Sequence, residues 1–280
     1  MVAVAQWLER LPVKQDVAGS NPASHPMPKI INYEVISPSG NPTAILYGKY
    51  SSGEKNIINQ KIFNSDKEVE QIGYIYSKNN SYKFEMMGNE FSGNGCRTAA
   101  YSLLKKKSGK ISFVASGIDE KIFARVSKNS LCGITLPYKF INKKIRKVKN
   151  GFLIKIFGSF ILILEENGNY KKAKKIIEKR FKRNRAVGIM FIRKMTKNKI
   201  KLNPYFYVKS TDTLKNETAC GSGSIATALY LHSTTPLKKF EILQPSGKTI
   251  SVRFIPKERK FTILNISGPT TFLGNKTIKI

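Results

Sequence analysis

Acidic residues are scarce in this sequence: 18 Asp and Glu stand against 49 Lys and Arg, for a net charge of +31. Histidine occurs only at His25 and His232, and tryptophan only at Trp7. So few imidazoles exclude a histidine-rich metal site and argue against a Ser-His-Asp triad. The 3 cysteines cannot build a disulfide framework, and their odd number suits a reducing, cytoplasmic compartment. No apolar run reaches the ~18 residues of a membrane-spanning helix. With 41% hydrophobic and 24% charged residues, the chain is not intrinsically disordered. Its 280 residues suffice for one large domain or two medium ones.

The excess of basic charge raises the question of nucleic acid. Lys171–Arg185 holds nine Lys or Arg and one Glu. Ala173, Ile176, Ile177 and Phe181 are spaced for one face, which predicts an amphipathic helix with a cationic outer side. The charge is also spread along the whole chain, and no zinc finger, helix-turn-helix or RNA-binding signature accompanies it. The reading is a solvated face, not a nucleic-acid partner.

Residues 1–26 differ from the rest of the chain. They hold Trp7 and His25, carry balanced charge and show neither helical nor strand periodicity. They lack the basic start and apolar core of a secretory signal. Val4-Ala5-Gln6-Trp7-Leu8-Glu9-Arg10 reads as a translated tRNA D-arm, and Gly19-Ser20-Asn21-Pro22 as a T-arm. Val4 to Pro26 is 23 codons, or 69 nucleotides, close to a tRNA gene. The segment is expected to be a non-native extension with Met27 as the start; an ordinary tail is the alternative.

The remainder repeats itself. Ser92-Gly93-Asn94-Gly95 opens a helical run at Cys96-Arg97-Thr98-Ala99-Ala100, and Cys220-Gly221-Ser222-Gly223 opens another at Ser224-Ile225-Ala226-Thr227-Ala228. A Ser-Gly turn follows each, at Ser116-Gly117 and Ser246-Gly247, after 24 and 26 residues. A closing strand ends at Pro137 or Pro269, 21 or 23 residues further on. Each half reads as strands, a glycine-led helix, a Ser-Gly hairpin and a closing strand. The small residues on several faces of both helices predict burial inside a sheet. Two such halves face to face point two helix N-termini at one cleft.

A glycine loop opening a helix leaves backbone N–H groups free, and these bind a carboxylate or phosphate together with the helix dipole. Each loop also begins with a nucleophile-type side chain, Ser92 or Cys220. A dipole contribution of ~0.3–1 kcal/mol is expected to lower the Cys220 pKa by about one unit, towards a useful base near neutrality.

Gly88-Asn89-Glu90-Phe91-Ser92-Gly93-Asn94 and Ala219-Cys220-Gly221-Ser222-Gly223 resemble the paired motifs of the diaminopimelate epimerase fold superfamily. Within it they most resemble the histidine racemases of opine-metallophore biosynthesis. Pro38-Ser39-Gly40-Asn41, Glu70-Gln71-Ile72-Gly73-Tyr74-Ile75, Val187-Gly188-Ile189-Met190-Phe191 and Gln244-Pro245-Ser246-Gly247 are similar too, so the likeness runs from about Ser37 to Gly274. The resemblance implies an α/β (α+β) fold of two pseudo-symmetric domains, each a curled sheet around a central helix. These are expected over 27–141 plus 266–280, and over 142–265. It implies an amino-acid racemase or epimerase that needs neither pyridoxal phosphate nor metal. Two residues on opposite faces of the substrate α-carbon exchange its proton. Carried onto this chain, Cys220 and Ser92 are the catalytic pair. Asn41, Gln71 and Asn94 bind substrate, with backbone N–H groups of Gly93, Gly221 and Ser222. The implied partner is a small amino acid, with no membrane involved.

The sequence departs from the family pattern in places. Ser92 stands where the family's first cysteine belongs, and an alcohol is a far weaker acid than a thiol. Cys96, one helical turn on, is expected to lie too deep to replace it, and Cys132 to lie in the core. Thr211 and Asp212 occupy the positions of the Glu-Arg pair of diaminopimelate epimerases, and Gly158-Ser159-Phe160-Ile161 replaces their Gly-Asn-Pro-His segment. Both changes argue against diaminopimelate. Glu217 either orients a substrate amine or caps the loop. Three alternatives stay open: diaminopimelate epimerase, a Ser/Cys hydroxy-amino-acid dehydratase, and a catalytically retired amino-acid binder.

Overall fold

The computed structural model describes residues 29–118, 120–137, 145–209, 212–257 and 261–280. The expected extension, residues 1–26, lies outside them. Strands β1 (Ile30–Pro38), β2 (Thr43–Tyr47), β3 (Gln71–Lys78), β4 (Ser81–Met86), β5 (Gly109–Ala115), β6 (Lys121–Val126) and β7 (Leu131–Pro137) make one half. Helices α1 (Ser52–Ser65) and α2 (Gly93–Leu103) belong to it. The other half contains β8 (Arg146–Val148), β9 (Gly151–Ile156), β10 (Ser159–Leu164), β11 (Ala186–Lys194), β12 (Lys199–Val208), β13 (Thr213–Asn216), β14 (Lys239–Leu243) and β15 (Thr249–Lys257), and β16 (Phe261–Lys279) runs through both. Its helices are α3 (Tyr170–Ile176) and α4 (Gly221–Thr234).

The halves share one topology. β1–β2 and β9–β10 are antiparallel, and β2–β3 and β10–β11 are parallel across α1 and α3. β3–β4 and β11–β12 are antiparallel, and β4–β5 and β12–β14 are parallel across α2 and α4. Antiparallel runs β5–β6–β7 and β14–β15–β16 close them. β16 joins the two halves: residues 261–267 pair with β15, 263–269 with β7 and 270–279 with β1. The fold is thus the expected pair of pseudo-symmetric α/β halves, each a curled sheet around one helix.

The reason each central helix can sit inside its sheet is its composition. α2 is buried from Gly93 through Ser102, and packs on β1 to β7 and β16. α4 packs on β9, β10, β11, β14 and β15. Their Gly, Ala, Ser and Thr side chains let strands approach on every side. Helices α1 and α3 lie instead over the outer faces, each covering a smaller apolar cluster through Ile58 and Ile62 or through Ala173 and Ile176. A capping box at Ser51 and Glu54 starts α1, and Asn169 caps α3 by accepting the Lys172 N–H at 3.0 Å.

The predicted helix over Lys171–Arg185 is shorter than its apolar spacing suggests. The regular α-helix ends at Ile176, and a π-helical turn, Ile177–Phe181, follows. The wider turn brings Phe181 to within 6.5 Å of the Phe160 ring, while a dense run of like charges disfavours continuing a tight helix.

The two halves meet where α2 and α4 begin. A Cβ on Gly221 would lie 2.8 Å from Asn94 N and 3.0 Å from the Gly93 carbonyl carbon. One on Gly93 would lie 3.4 Å from the Gly221 carbonyl carbon. Backbone therefore touches backbone. Nearby, Gly40 adopts φ +97° and stands where a Cβ would overlap Ser246 Cβ at 2.2 Å. Gly221→Ala is expected to lower stability by about 1–3 kcal/mol through overpacking against backbone that cannot yield. Denaturant melts test this; an unchanged midpoint would show that the two helix starts are not locked together.

Candidate active site

The two helix starts are built alike. Ser92 caps α2 at φ −128°, ψ 118°, and its Oγ accepts the Gly95 N–H at 2.9 Å. Cys220 caps α4 at φ −127°, ψ 109°, and its Sγ accepts the Gly223 N–H at 3.3 Å. Both side chains thus sit at matching positions of a repeated motif. Among the described residues, no acceptor takes the N–H groups of Gly93, Asn94, Gly221 or Ser222. Four unpaired donors at two adjoining positive dipole ends form a ready carboxylate cradle.

A buried polar network fixes this junction. Asn94 Nδ2 donates to Ala219 O at 2.8 Å and to Asn41 Oδ1 at 3.3 Å, while its Oδ1 accepts from Arg97 Nη2 at 2.9 Å. Arg97 is fully buried and also donates to Ser39 Oγ at 3.1 Å. Its guanidinium pKa falls to about 10 because burial penalises the charge. Asn41 Nδ2 donates to Glu70 Oε2 at 2.6 Å, and Glu70 also accepts the Thr218 N–H at 3.1 Å. Ser246 Oγ donates to Ser39 O at 2.6 Å. Gln244 Oε1 accepts the Cys220 N–H at 2.9 Å, holding the thiol-bearing residue from behind.

Beside the junction lies a small cavity of about 40 Å³, lined among others by Gln71, Ser92, Ser222, Glu70, Glu90 and Glu217. That volume is well below the ~300–1,000 Å³ of an ordinary ligand pocket. Ser92 Oγ donates to Gln71 Oε1 at 3.0 Å, and Gln71 Nε2 donates to Glu217 Oε1 at 3.1 Å. Gln71 therefore links the alcohol at one helix start to a carboxylate three residues before the other. Burial, reinforced by the charges of Glu70 and Glu90, raises the Glu217 pKa to about 7. Burial also raises Glu70 and Glu90, and lowers the neighbouring Lys215. Oε2 of Glu90 and Oε2 of Glu217 are buried without a hydrogen-bond partner.

Cys220 behaves contrary to the expectation from its helix position. Its pKa is raised well above the ordinary thiol range, first by burial and then by the negative charge of Glu217. The dipole contribution, ~0.3–1 kcal/mol, is too small to offset loss of solvent around a thiolate. Cys96 and Cys132 are fully buried and likewise pushed up by burial. Cys96 lies inside α2 and Cys132 in the core, where Cys132 Sγ donates to Arg97 O at 3.2 Å.

The model of the histidine racemase CntK N-terminal domain matches residues 30–275. The chain belongs to this family. A histidine racemase of Fusobacterium nucleatum is 31% identical, with 78% of this chain and 88% of the relative covered. A histidine racemase of Staphylococcus aureus is 21% identical, with 79% and 88% covered. A hydroxyproline epimerase from Agrobacterium vitis, solved with bound trans-4-hydroxy-L-proline, superposes with a TM-score of 0.59. It shares 10% identity, with 90% of this chain and 93% of that one covered, and so a common fold. The chain is accordingly an isomerase of the cofactor-independent racemase and epimerase class, acting on a small amino-acid substrate.

Within this family member, the residues singled out from sequence fall into two groups. Gln71, Ser92 and Ser222 line the cavity, and Cys220 Sγ lies 3.5 Å from Ser222 Oγ. Gly93, Gly221, Asn41 and Asn94 form the junction behind it, with both Asn amides engaged by protein groups. Asp212 is exposed and accepts from Tyr207 Oη at 2.8 Å; Thr211 lies outside the described residues. Sequence reading missed Glu70 and Glu90 as cavity residues. Their signal was available: acids are rare in this chain, and each belongs to a recognised motif.

Among the described residues, no three His, Cys, Asp or Glu side chains converge as metal ligands would, and no helix is long and apolar enough to cross a membrane. The shifted Glu217 yields a stability prediction. Its folded pKa of about 7 exceeds the ordinary 4.5, so its contribution is fully present below the ordinary value and is lost as pH rises through 7. Glu217→Gln is expected to stabilise the empty protein at pH 8 by up to about 3 kcal/mol, at ~1.4 kcal/mol per unit, and hardly at pH 4.5. Melts at both pH values check this; an equal gain at both would contradict a buried, titrating carboxylate.

Proposed function

We propose that the chain interconverts L- and D-histidine by removing and replacing the α-proton. The observation that carries the substrate assignment is the pairing of opposite electrostatics. Unpaired N–H donors at two helix starts suit a carboxylate, and a cavity lined by three acids, Glu70, Glu90 and Glu217, against one cation, Lys215, suits cationic groups. An amino acid with an ammonium and a basic ring matches both. The histidine racemase activity named for the two relatives supports the same substrate.

In this reading the carboxylate lies across the N–H groups of Gly93, Asn94, Gly221 and Ser222. As the α-proton leaves, negative charge grows on that carboxylate as an enediolate, and the fixed donors stabilise it without reorganising. Cys220 exchanges the proton on one face of the α-carbon. Ser92 faces the other and supplies a proton from its hydroxyl; the resulting alkoxide is the costly species, so this face is the slower one. Gln71 orients Ser92, while Asn41 and Asn94 position the cradle rather than grip the ligand directly. The cavity of about 40 Å³ is smaller than an amino acid, so the side chains that line it rearrange as substrate enters, which expels water from the reacting centre.

Incubation with L-histidine in D₂O is expected to erase the α-proton NMR signal and to yield D-histidine by chiral chromatography. Cys220→Ala should reduce α-exchange by about 10²–10⁴-fold, the usual contribution of a positioned acid–base group, with binding retained. Ser92→Cys should speed racemisation equally in both directions, since the enantiomers are equal in energy. Loss of a β-hydroxyl from hydroxy-amino acids without α-exchange of histidine would favour a dehydratase instead. Exchange by neither form, on any amino acid, would overturn the assignment.

A further inference from the structure

The reaction cavity of about 40 Å³ has a larger neighbour of about 690 Å³. Met87, Thr213 and Lys215 line both, so these three side chains form the partition between them. The outer volume falls in the ~300–1,000 Å³ range of ordinary ligand pockets. It lies along the seam of the molecule, with α1 of one half on one side and β13 of the other half facing it. In a chain with 49 Lys and Arg, α1 turns amides toward this space: Asn56, Gln60 and Asn64, spaced four apart along one helical face. These amides are exposed and uncharged, so they repel neither an ammonium nor a carboxylate. Lys209 and Lys215 supply positive charge to the same cavity, and Asp212 negative charge. Amides with charges of both signs fit the polar groups of a zwitterionic amino acid.

Lys215 is the charged member of the partition. Its side chain is half-buried, and its Nζ lies 4.1 Å from the centroid of the Phe63 ring on α1, a cation resting on an aromatic face. Glu70 and Glu217 act on it electrostatically from the side of the reaction cavity. Lys and Met have long unbranched stems with several rotatable bonds, so Lys215 and Met87 can swing aside while the backbone stays in place. Phe91, Ser92, Phe206 and Glu217, which also line the reaction cavity, are buried.

We propose, on the basis of the racemisation reading, that the outer cavity receives the incoming zwitterionic amino acid and that Lys215, resting on Phe63, is the gate it passes to reach the reaction cavity. As substrate enters, its own cationic groups face Glu70, Glu90 and Glu217, so the acids keep a counter-charge while Lys215 is displaced. Return of Lys215 to the Phe63 ring closes the partition behind the substrate and separates the reacting centre from bulk water.

The test is the steady-state α-deuteration of L-histidine by the full chain, read by NMR. Gln60→Trp and Asn64→Trp fill the outer cavity from the surface of α1 and leave the reaction cavity as it is. A fall in kcat/KM of about tenfold or more in either, with the melting temperature held, is the expected result. Lys61→Trp, on the same helix but away from the cavity, is expected to keep the wild-type value. At the gate, two variants separate bulk from charge. Lys215→Ala removes the side chain and should raise kcat/KM about twofold to fivefold, the range that release of an exposed cation–π contact allows. Lys215→Met keeps the length without the charge and should gain less than Ala. Wild-type kcat/KM in both Trp variants at 60 and 64 overturns the route, as does an equal fall in Lys61→Trp. An equal gain in Lys215→Met and Lys215→Ala makes Lys215 a competing charge and overturns the gate. If the Trp variants do not fold, the two Lys215 variants decide. Absence of α-exchange by wild type on any amino acid removes the racemisation reading and the route with it; exchange that the plugs leave untouched removes the route alone.

Discussion

The head-to-head contact of α2 and α4 is the constraint on which the rest of the molecule depends. Two positive helix ends, each worth roughly half a charge, do not approach without cause. Gly93 and Gly221 permit the approach because neither carries a side chain. Asn94 holds it by donating from one helix start to Ala219 just ahead of the other. Arg97, Asn41, Glu70 and Thr218 extend that tie across the junction. An anion bound between the two ends relieves their mutual repulsion and satisfies donors that the protein leaves unpaired. Binding and cohesion of the two halves are then parts of the same interaction.

The site inverts the character of the chain. A protein with 18 acids among 280 residues places Glu70, Glu90 and Glu217 around one small cavity. All three are pushed up by burial, Glu217 to about 7, while the basic residues lie mostly on exposed faces. The same burial raises Cys220. Low dielectric thus acts twice: it makes the thiol a reluctant acid, and it makes the neighbouring carboxylate a better base than an exposed glutamate.

Much of this was legible in the sequence wherever the signal was local and repeated. The glycine loops at Ser92 and Cys220, the Ser-Gly hairpins at Ser116 and Ser246, and the burial of both helices follow from spacing and residue size. The members of the carboxylate cluster were visible one by one, as rare acids within or beside the motifs, but their convergence was not, because they come from three separated segments that only the sheet topology brings together. The direction of the Cys220 shift was misjudged for a related reason: the helix dipole can be read from a motif, whereas burial on all sides cannot. The π-helical turn after Ile176 depends on where Phe181 finds a ring to pack against, again a tertiary fact. Asn41 and Asn94 were recognisable as important, but their cross-junction partners were visible only in three dimensions.

The account's central claim is that the two adjoining helix starts capture the substrate through its carboxylate. The most direct measurement is the thermal stabilisation of the protein by L-histidine, D-histidine and histidinol at matched concentration. Histidinol keeps the amine and the ring but has no carboxylate. The account predicts that both histidine enantiomers raise the melting temperature, since both present the same carboxylate to the same N–H groups, and that histidinol does not. Equal stabilisation by histidinol would contradict it.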